Sequence, residues 1–331
     1  MANESGILIL GETAEGGGLA AISGELLGAA RRLAGAGAPG PVAAAVLGRG
    51  IDGLSHEAIA LGADVVYVAD HQLLGEYTSG AYTAAMEQLC REANPAIVLM
   101  GQTNIGRDLA PRLAFRLGTT VAMDCVNLAV QGGKLMMTRP CYGGNAQAVN
   151  ASRTMPQMAT VRTKSQDPLE KDPSRKGEVK QVAVQLDASQ AMPRVLERKK
   201  AAAEGIRLED ADVVVAGGRG MGGPEGFQPL EELASVLGGA VGASRAVCDL
   251  GWRPVSEQIG LTGKVVGPTL YIAVAISGAS QHMAGCTGSK NIVAINKDPD
   301  ANIFKAARFG IVGDFKQVLP PFIEAVKKLK S

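Results

Sequence analysis

The sequence predicts an α/β protein that contains two doubly wound domains. Short apolar runs alternate with segments whose apolar residues recur at helical spacing, a pattern typical of parallel strands covered by helices on both faces. The 331 residues are enough for two separate cores. The 43 glycines, together with only 4% aromatic residues, favour strands and helices that pack closely.

The first domain is expected to span residues 1–200. Its apolar runs predict strands at residues 6–10, 41–47, 63–68 and 95–100, and helical spacing predicts helices at residues 19–34, 83–93 and 107–117. The stretches LMMTRP and QMATVR add two strands in a less regular region.

A charged segment closes this domain at residues 164–200. It contains two Asp-Pro steps and little apolar surface, so we expect it to be exposed, with one returning strand near residues 182–186. The basic run at residues 194–200 is interpreted as a solvated linker or edge strand. The second domain could swing on this segment.

The second domain, residues 201–331, repeats the strand–helix pattern. Strands are predicted at residues 212–216, 270–276, 291–295 and 310–312, and helices at about 229–237 and at 315–329.

Composition excludes several classes of protein. A net charge of +1 gives no indication of nucleic-acid binding. Five scattered cysteines without a CxxC pair argue against a disulfide framework and against a zinc or iron–sulfur site. MANESGILIL lacks a basic signal-peptide region, and no apolar segment approaches 18 residues. We therefore expect a soluble, cytoplasmic protein without a metal.

Glycine and polar residues follow several strands of the second domain. VVVAGGRGMGG could offer backbone N–H groups and Arg219 to an anion, although a plain glycine turn fits equally well. The Ser244-Arg245 pair also suits an anion, unless it is an exposed strand end. The loop EQIGLTGKVV, with Thr262, reads by itself as an ordinary turn.

The stretch SGASQH raises the question of a catalytic histidine. Ser277 could cap a short helix that places Gln281 and His282 in its first turn. Cys286 could share a helix face with His282, but no third group orients them as a nucleophilic pair. Polar residues also end two further strands, where nucleotides bind in such sheets: Asn296, Asp298 and Asp314.

Taken in order, these motifs resemble one family. GGRG, GASRAVCD, QIGLTGK, LYIAVAISGASQHMAG and NIVAINKDPDANIFKAARFGIVGD are similar to the C-terminal half of the electron transfer flavoprotein alpha subunit. GQTNIGRDLAPRLAFRLG is similar to the N-terminal domain of that family. The resemblance implies a DHS-like NAD/FAD-binding fold for the second domain, bound FAD, and a heterodimer with a beta subunit that the first domain contacts.

The resemblance also implies which residues contact FAD. They are Arg219, Ser244, Arg245, Gln258, Ile259, Gly260, Leu261, Thr262, Ser277, Gly278, Ala279, Ser280, Gln281, His282, Asn296, Asp314 and Phe315. Arg245 would face the isoalloxazine ring and favour negative charge on it. Thr262 would lie near flavin N5 and His282 near the pyrimidine carbonyl. Ser244 and the helix start after Ser277 would suit the pyrophosphate, with Asn296 and Asp314 on the adenosine side.

Two positions depart from the family pattern. Leu261 stands where many members carry Gln, which removes a polar contact beside the flavin and resembles a branch tied to anaerobic or nitrogen-fixation-type pathways. Ala275 replaces a frequent Gly, which we expect to be a small packing change.

The function implied is electron transport rather than conversion of a substrate, and no catalytic residue is assigned. Electrons would come from acyl-CoA-type dehydrogenases, as in fatty acid beta-oxidation, and pass to a quinone oxidoreductase or another acceptor. Alternatives are a subunit of an electron-bifurcating NADH-dependent complex, a NAD-dependent dehydrogenase, and a nucleotide-binding module without redox activity. No acidic residue stands at the expected distance after the glycine loop VVVAGGRGMGG, which counts against the dehydrogenase.

Overall fold

A computed structural model describes residues 6–14, 16–51, 53–144, 146–192, 195, 197 and 206–330. The chain divides into two compact units. One comprises residues 1–140 and 147–198, and the other comprises residues 141–146 and 199–331. Among the described ranges, no helix is both long and apolar enough to cross a membrane.

The described strands of the first unit form a seven-stranded parallel sheet and a small three-stranded sheet. The elements are β1 Ile7–Gly11, α1 Ala21–Gly35, β2 Val42–Gly48, α2 Leu54–Ala60, β3 Val65–Asp70, α3 Ser79–Ala93, β4 Ile97–Gly101, α4 Asn104–Arg116, β5 Val121–Cys125, β6 Asn127–Gln131, β7 Lys134–Cys141, β8 Ala146–Asn150, β9 Gln157–Val161 and β10 Glu178–Gln181. The large sheet has the order β10-β3-β2-β1-β4-β9-β5, and β6-β7-β8 form the small one.

The central strand β1 shows why the sheet is covered on both faces. All five of its residues are buried. Ile7 and Ile9 pack into the core formed with α1, whereas Leu8 and Leu10 pack into the core formed with α3 and α4. Successive side chains of a strand point to opposite faces, so a strand that is buried on both faces must be continuously apolar.

The segment that starts at Lys164 is fixed to the first unit rather than freely exposed. The Lys164 backbone N–H donates to the Glu25 carboxylate of α1 at 2.7 Å, and the Gln166 side chain is buried. The returning strand β10 pairs with β3 at residues 178–181, so the prediction of a strand at 182–186 was wrong. Val182, Val184 and Leu186 pack on the core, but only the Val182 N–H bonds to β3, at 2.8 Å from the Val68 carbonyl oxygen, which explains the misleading pattern.

Most of the basic run at residues 194–200 lies outside the described residues, of which only Val195 and Glu197 belong to it. The predicted hinge therefore stays a prediction for that run. Residues 167–181 are mostly exposed, as expected, but they are held in place, because β10 pairs with β3 and the Lys164 N–H bonds to the Glu25 carboxylate.

The described strands of the second unit form one six-stranded parallel sheet. Its elements are β11 Val213–Gly217, α5 Gln228–Leu237, β12 Ala240–Ser244, α6 Arg245–Asp249, β13 Gln258–Ile259, β14 Leu270–Val274, α7 Ser280–Met283, β15 Asn291–Asn296, β16 Phe309–Val312 and α8 Phe315–Lys330. The strand order is β13-β12-β11-β14-β15-β16. Because all of these strands run in parallel, their carboxyl ends meet at one edge of the sheet.

The predicted α/β class is confirmed in both units. The element-by-element prediction missed α2, β5, β6, β8, β12, α6 and β13. These elements are short, and β12 (AVGAS) contains small residues that carry little apolar signal.

Candidate functional site

A cavity of about 690 Å³ opens at the carboxyl edge of the second-unit sheet. Loops that follow β11, β12, β13, β14 and β15 contribute its walls. The lining residues are Gly218, Arg219, Gly220, Ser244, Arg245, Ala246, Asp249, Gln258, Ile259, Gly260, Leu261, Thr262, Ala275, Ile276, Ser277, Ala279, Gln281, His282, Asn296 and Asp298. This volume lies within the range of small-molecule and cofactor sites.

Close contact between two backbone segments shapes the floor of the cavity. A side chain at Gly218 would place its Cβ 2.1 Å from the carbonyl oxygen of Ala275, so only glycine fits there. Ala275 itself has φ of +53°, in the left-handed region that favours glycine. The Ala275 substitution therefore strains the backbone, and the expected small packing change was an incomplete description.

Arg245 begins α6 at the cavity wall, and its side chain is exposed. Its Nε lies 3.3 Å from a carboxylate oxygen of Asp249, one helical turn later. An exposed ion pair of this kind contributes little to stability, so water or a ligand can readily replace Asp249 as the partner of Arg245. Arg245 and Arg219 are the arginines of this wall, and Asp249 and Asp298 are its carboxylates.

The loop after β13 is held by its own hydrogen bonds. The Gln258 side-chain amide donates to the Thr262 hydroxyl oxygen at 3.0 Å, and the Gly260 N–H donates to the Lys264 carbonyl at 3.1 Å. The Leu261 N–H donates to the Gln281 carbonyl at 2.7 Å, which ties this loop to the next wall. The Leu261 side chain is 61% exposed at the cavity.

The SGASQH stretch forms an extended turn before a very short helix. Helix α7 begins at Ser280 with Ala279 at the N-cap, and no side chain of the described residues caps it, so the prediction of Ser277 as the cap was wrong. The Ser277 carbonyl instead accepts from the Ile303 N–H at 3.1 Å. Gly278 has φ of +80°, and a Cβ there would lie 2.2 Å from the Ile303 nitrogen. This turn needs glycine at its second position.

His282 places a buried, unsatisfied nitrogen at the cavity. Its Nε2 lies 2.9 Å from the Tyr271 hydroxyl oxygen. Nδ1 is buried and has no hydrogen-bond partner among the described residues. Burial lowers the pKa of His282 to about 4, and a hydrogen bond between the ring and the Ile259 backbone opposes this only in part. The ring is therefore neutral at pH 7, with Nδ1 left for a ligand.

Cys286 does not form a nucleophilic pair with His282. Helix α7 ends at Met283, and the Cys286 thiol lies 3.8 Å from the His282 main-chain carbonyl oxygen. Burial raises the pKa of Cys286 to about 12, so the reactive thiolate is strongly disfavoured. No group of three or more metal-ligating side chains occurs within the described ranges.

A second cavity of about 200 Å³ lies at the ends of β15 and β16. Asp314 and Phe315 line it, and Asn296 lines both cavities. The Asn296 amide donates to the Ile276 carbonyl at 2.9 Å and its side-chain oxygen accepts from the Asp298 N–H at 3.0 Å. Asn296 therefore fixes the loop between the cavities.

The structure brings most of the residues predicted from the sequence to one place. Gly278 and Ser280 line neither of the two described cavities, although they belong to the same turn. Sequence reasoning named Gly218, Gly220 and Asp298 only as parts of candidate motifs, and it did not assign to the site the wall residues Ala246, Asp249, Ala275 and Ile276. Several of these adjoin assigned residues, which is the signal that could have found them.

Comparison with known proteins matches two family models. Residues 7–187 match "Electron transfer flavoprotein domain" and residues 207–287 match "Electron transfer flavoprotein FAD-binding domain". The electron transfer flavoprotein subunit alpha of Megasphaera elsdenii is 47% identical, with 100% of this chain and 99% of the relative aligned. The same subunit of Thermoanaerobacterium thermosaccharolyticum is also 47% identical, over 92% and 93%.

A relative with a different name is also similar. Protein FixB of Clostridium saccharobutylicum is 43% identical, over 100% of this chain and 99% of its own. Full-length identities of this size, together with both family models, show that the chain belongs to the electron transfer flavoprotein family, as an alpha subunit.

Proposed function

We propose that the larger cavity holds the flavin part of FAD and that the chain, paired with a beta subunit, passes electrons from a donor protein to an acceptor protein. Membership of the family supports the electron-transfer role. The observation that carries the proposal for FAD is the buried Nδ1 of His282. An orphaned polar atom at the wall of a cavity indicates a missing hydrogen-bond partner.

The residues at the cavity suit the parts of FAD. Arg219 and the Ser244 hydroxyl offer donors to the pyrophosphate. Thr262 and the neutral His282 offer polar groups to the flavin ring, and Arg245 offers a permanent positive charge. The adjoining smaller cavity, with Asp314, would receive the adenosine side.

Bound FAD would supply the redox chemistry, because its ring system accepts and releases electrons one or two at a time. The chain would bind and orient that ring and favour negative charge on it. For this task Arg245 must be free to leave the Asp249 carboxylate, and their exposed 3.3 Å contact allows this. His282 would hold its Nδ1 toward the ring, and the apolar side of the wall would limit access of water.

His282 and Cys286 do not form an acid–base pair for a substrate. His282 is neutral, with a pKa of about 4, and the Cys286 thiol has a pKa of about 12. An electron carrier needs neither a nucleophile nor a general base, which favours this function over a dehydrogenase that moves protons on a substrate.

The partners follow from the same proposal. Acyl-CoA-type dehydrogenases would donate electrons, as in fatty acid beta-oxidation, and a quinone oxidoreductase or another acceptor would receive them. The bifurcating alternative would require a second flavin in the heterodimer and reduction by NADH. Flavin counting and an NADH titration of the purified heterodimer distinguish the two. A cytoplasmic location remains a prediction.

Purification with the beta subunit tests the proposal. The complex should be yellow, and denaturation should release FAD. His282→Ala should weaken FAD binding about 3- to 10-fold, the loss of one hydrogen bond, whereas His71→Ala in the first unit should leave binding unchanged. A colourless heterodimer that cannot be reconstituted with FAD would rule the proposal out.

A further inference from the structure

We propose that Tyr271 is a positioning residue that fixes the tautomer of His282, so that the ring proton sits on Nδ1 and is donated to whatever the cavity binds. Tyr271 lies on β14, does not line the cavity, and acts only through His282. The inference rests on the proposed function only for the identity of the acceptor, which would be an electron-rich oxygen or nitrogen of the flavin ring.

The geometry brings the two side chains together in the core. Tyr271 is fully buried, and its hydroxyl oxygen lies 2.9 Å from Nε2 of His282. The rings are tilted by 53°, with centroids 6.2 Å apart, so they meet through this hydrogen bond and not by stacking. Burial holds the pKa of Tyr271 well above its ordinary value, so the hydroxyl keeps its proton.

The direction of the hydrogen bond follows from the third member of the cluster. The Cys286 thiol also lies within reach of the Tyr271 hydroxyl, and its own S–H points to the His282 main-chain carbonyl at 3.8 Å. The Tyr271 proton can therefore go to Nε2 or to sulfur. An imidazole nitrogen is a much better acceptor than a thiol, so the hydroxyl donates to Nε2. A neutral ring that accepts at Nε2 carries its proton on Nδ1.

The consequence for the site is a neutral donor in a fixed direction. Since Nε2 is occupied by Tyr271, Nδ1–H is the ring group left to face a ligand, and the Ile259 backbone is its nearest competing partner. A neutral donor held in a buried wall gains strength as negative charge grows on its acceptor, and it costs little reorganisation. Without the tyrosine hydroxyl, the ring would be free to place its proton on either nitrogen.

Nitrogen-15 NMR of the full-length chain, labelled at histidine, tests the tautomer directly. The chain has only three histidines, and His282→Asn assigns the signal of interest. His71 is an internal reference of the opposite kind, because its Nδ1 accepts from the Leu73 N–H at 3.1 Å and its proton must sit on Nε2. We expect His282 to show a protonated Nδ1 and a bare Nε2 with and without FAD.

Two variants distinguish the effect of the Tyr271 hydroxyl from that of the Cys286 thiol. Tyr271→Phe keeps the buried ring and removes the hydroxyl, so His282 should become a mixture of tautomers, and the dissociation constant for FAD of the heterodimer should rise about two- to five-fold. Cys286→Ala should leave the Nδ1–H tautomer and FAD affinity unchanged, because the thiol donates elsewhere.

The proposal is overturned if wild-type His282 carries its proton on Nε2, or if Tyr271→Phe keeps the wild-type tautomer. A switch of tautomer in Cys286→Ala would also overturn it, because the hydroxyl would then be oriented by sulfur. If the tyrosine variant does not fold, the wild-type spectrum and Cys286→Ala can each still overturn the proposal. A correct tautomer in a chain that never binds FAD would instead contradict the proposed function alone.

Discussion

Replacement of Glu12 by glutamine should stabilise the protein, and more at high pH than at low pH. Glu12 follows β1 and is 7% exposed, and its Oε1 accepts from the Thr103 hydroxyl at 2.8 Å. Burial raises the pKa of Glu12 to about 7, although the Thr103 hydrogen bond opposes this. No cation pairs with this carboxylate within the described residues.

The magnitude follows from the linkage between proton binding and folding. In the unfolded chain Glu12 has its ordinary pKa of 4.5. The contribution of Glu12 to stability is therefore most favourable below pH 4.5, where the carboxyl is protonated in both states. That stability is lost as the pH rises to about 7. The pKa differs by about 2.5 between the two states, and each pKa unit corresponds to about 1.36 kcal/mol. Ionisation of Glu12 therefore lowers the free energy of unfolding by about 3 kcal/mol at pH 8 and by about 1 kcal/mol at pH 5.

Glutamine keeps the shape and the carbonyl acceptor but never ionises. Glu12→Gln should therefore raise the melting temperature by roughly 6–12 °C at pH 8 and by only a few degrees at pH 5, measured by far-ultraviolet circular dichroism. An equal gain at both pH values, or no gain at pH 8, would refute the reasoning.

Glu87→Gln provides the matched control. Glu87 is equally buried, but its carboxylate lies 2.5 Å from the Arg91 guanidinium and 2.7 Å from that of Arg116. Removal of this charge leaves both arginines without their shared partner, so the melting temperature should fall or stay the same at pH 8. The two substitutions are chemically identical, so opposite outcomes would isolate the effect of the ion partners.

Three further predictions concern the second unit. Arg245→Gln should lower the reduction potential of the FAD-loaded heterodimer by roughly 20–60 mV per electron, because it removes a positive charge. Asp249→Asn removes a negative charge and should raise the potential by a smaller amount. Spectroelectrochemical titration measures both, and shifts of the same sign would contradict the role of this pair. Ala275→Gly should stabilise the chain by about 0.5–1 kcal/mol, because relief of a left-handed alanine exceeds the entropy cost of glycine; urea unfolding that shows a loss would refute it. Gly278→Ala should destabilise by about 2 kcal/mol or more and abolish FAD binding, since its Cβ would collide with the Ile303 backbone; a wild-type melting curve would contradict this.

The sequence predicts well the strands that are buried on both faces, such as β1, β2, β4 and β11. A continuous apolar run such as VVVAG of β11 has no other stable place in a soluble fold. The run at residues 182–186 misled because alternation reports which side chains are buried, not which backbone groups pair. Only tertiary contacts place the true strand, β10, beside β3.

The location of the candidate site could be predicted from the sequence, but parts of its geometry could not. Parallel strands bring their carboxyl ends to one edge, so the polar residues after β12, β14 and β15 had to gather there. The strain at Ala275 and the contact of Tyr271 with His282 could not be predicted, because each depends on a neighbour from a different segment.

The segment between residues 164 and 181 has a consequence for the synthesis of the protein and for the design of truncated variants. It crosses α1 where a side chain at Gly28 would lie 2.2 Å from the Asp167 carbonyl oxygen, and it ends in the edge strand β10. A growing chain cannot complete its first domain until this charged stretch has been synthesised. A shortened gene that stops at residue 163 would leave β3 as an open edge and would invite aggregation, whereas one that extends through residue 192 would keep that edge covered.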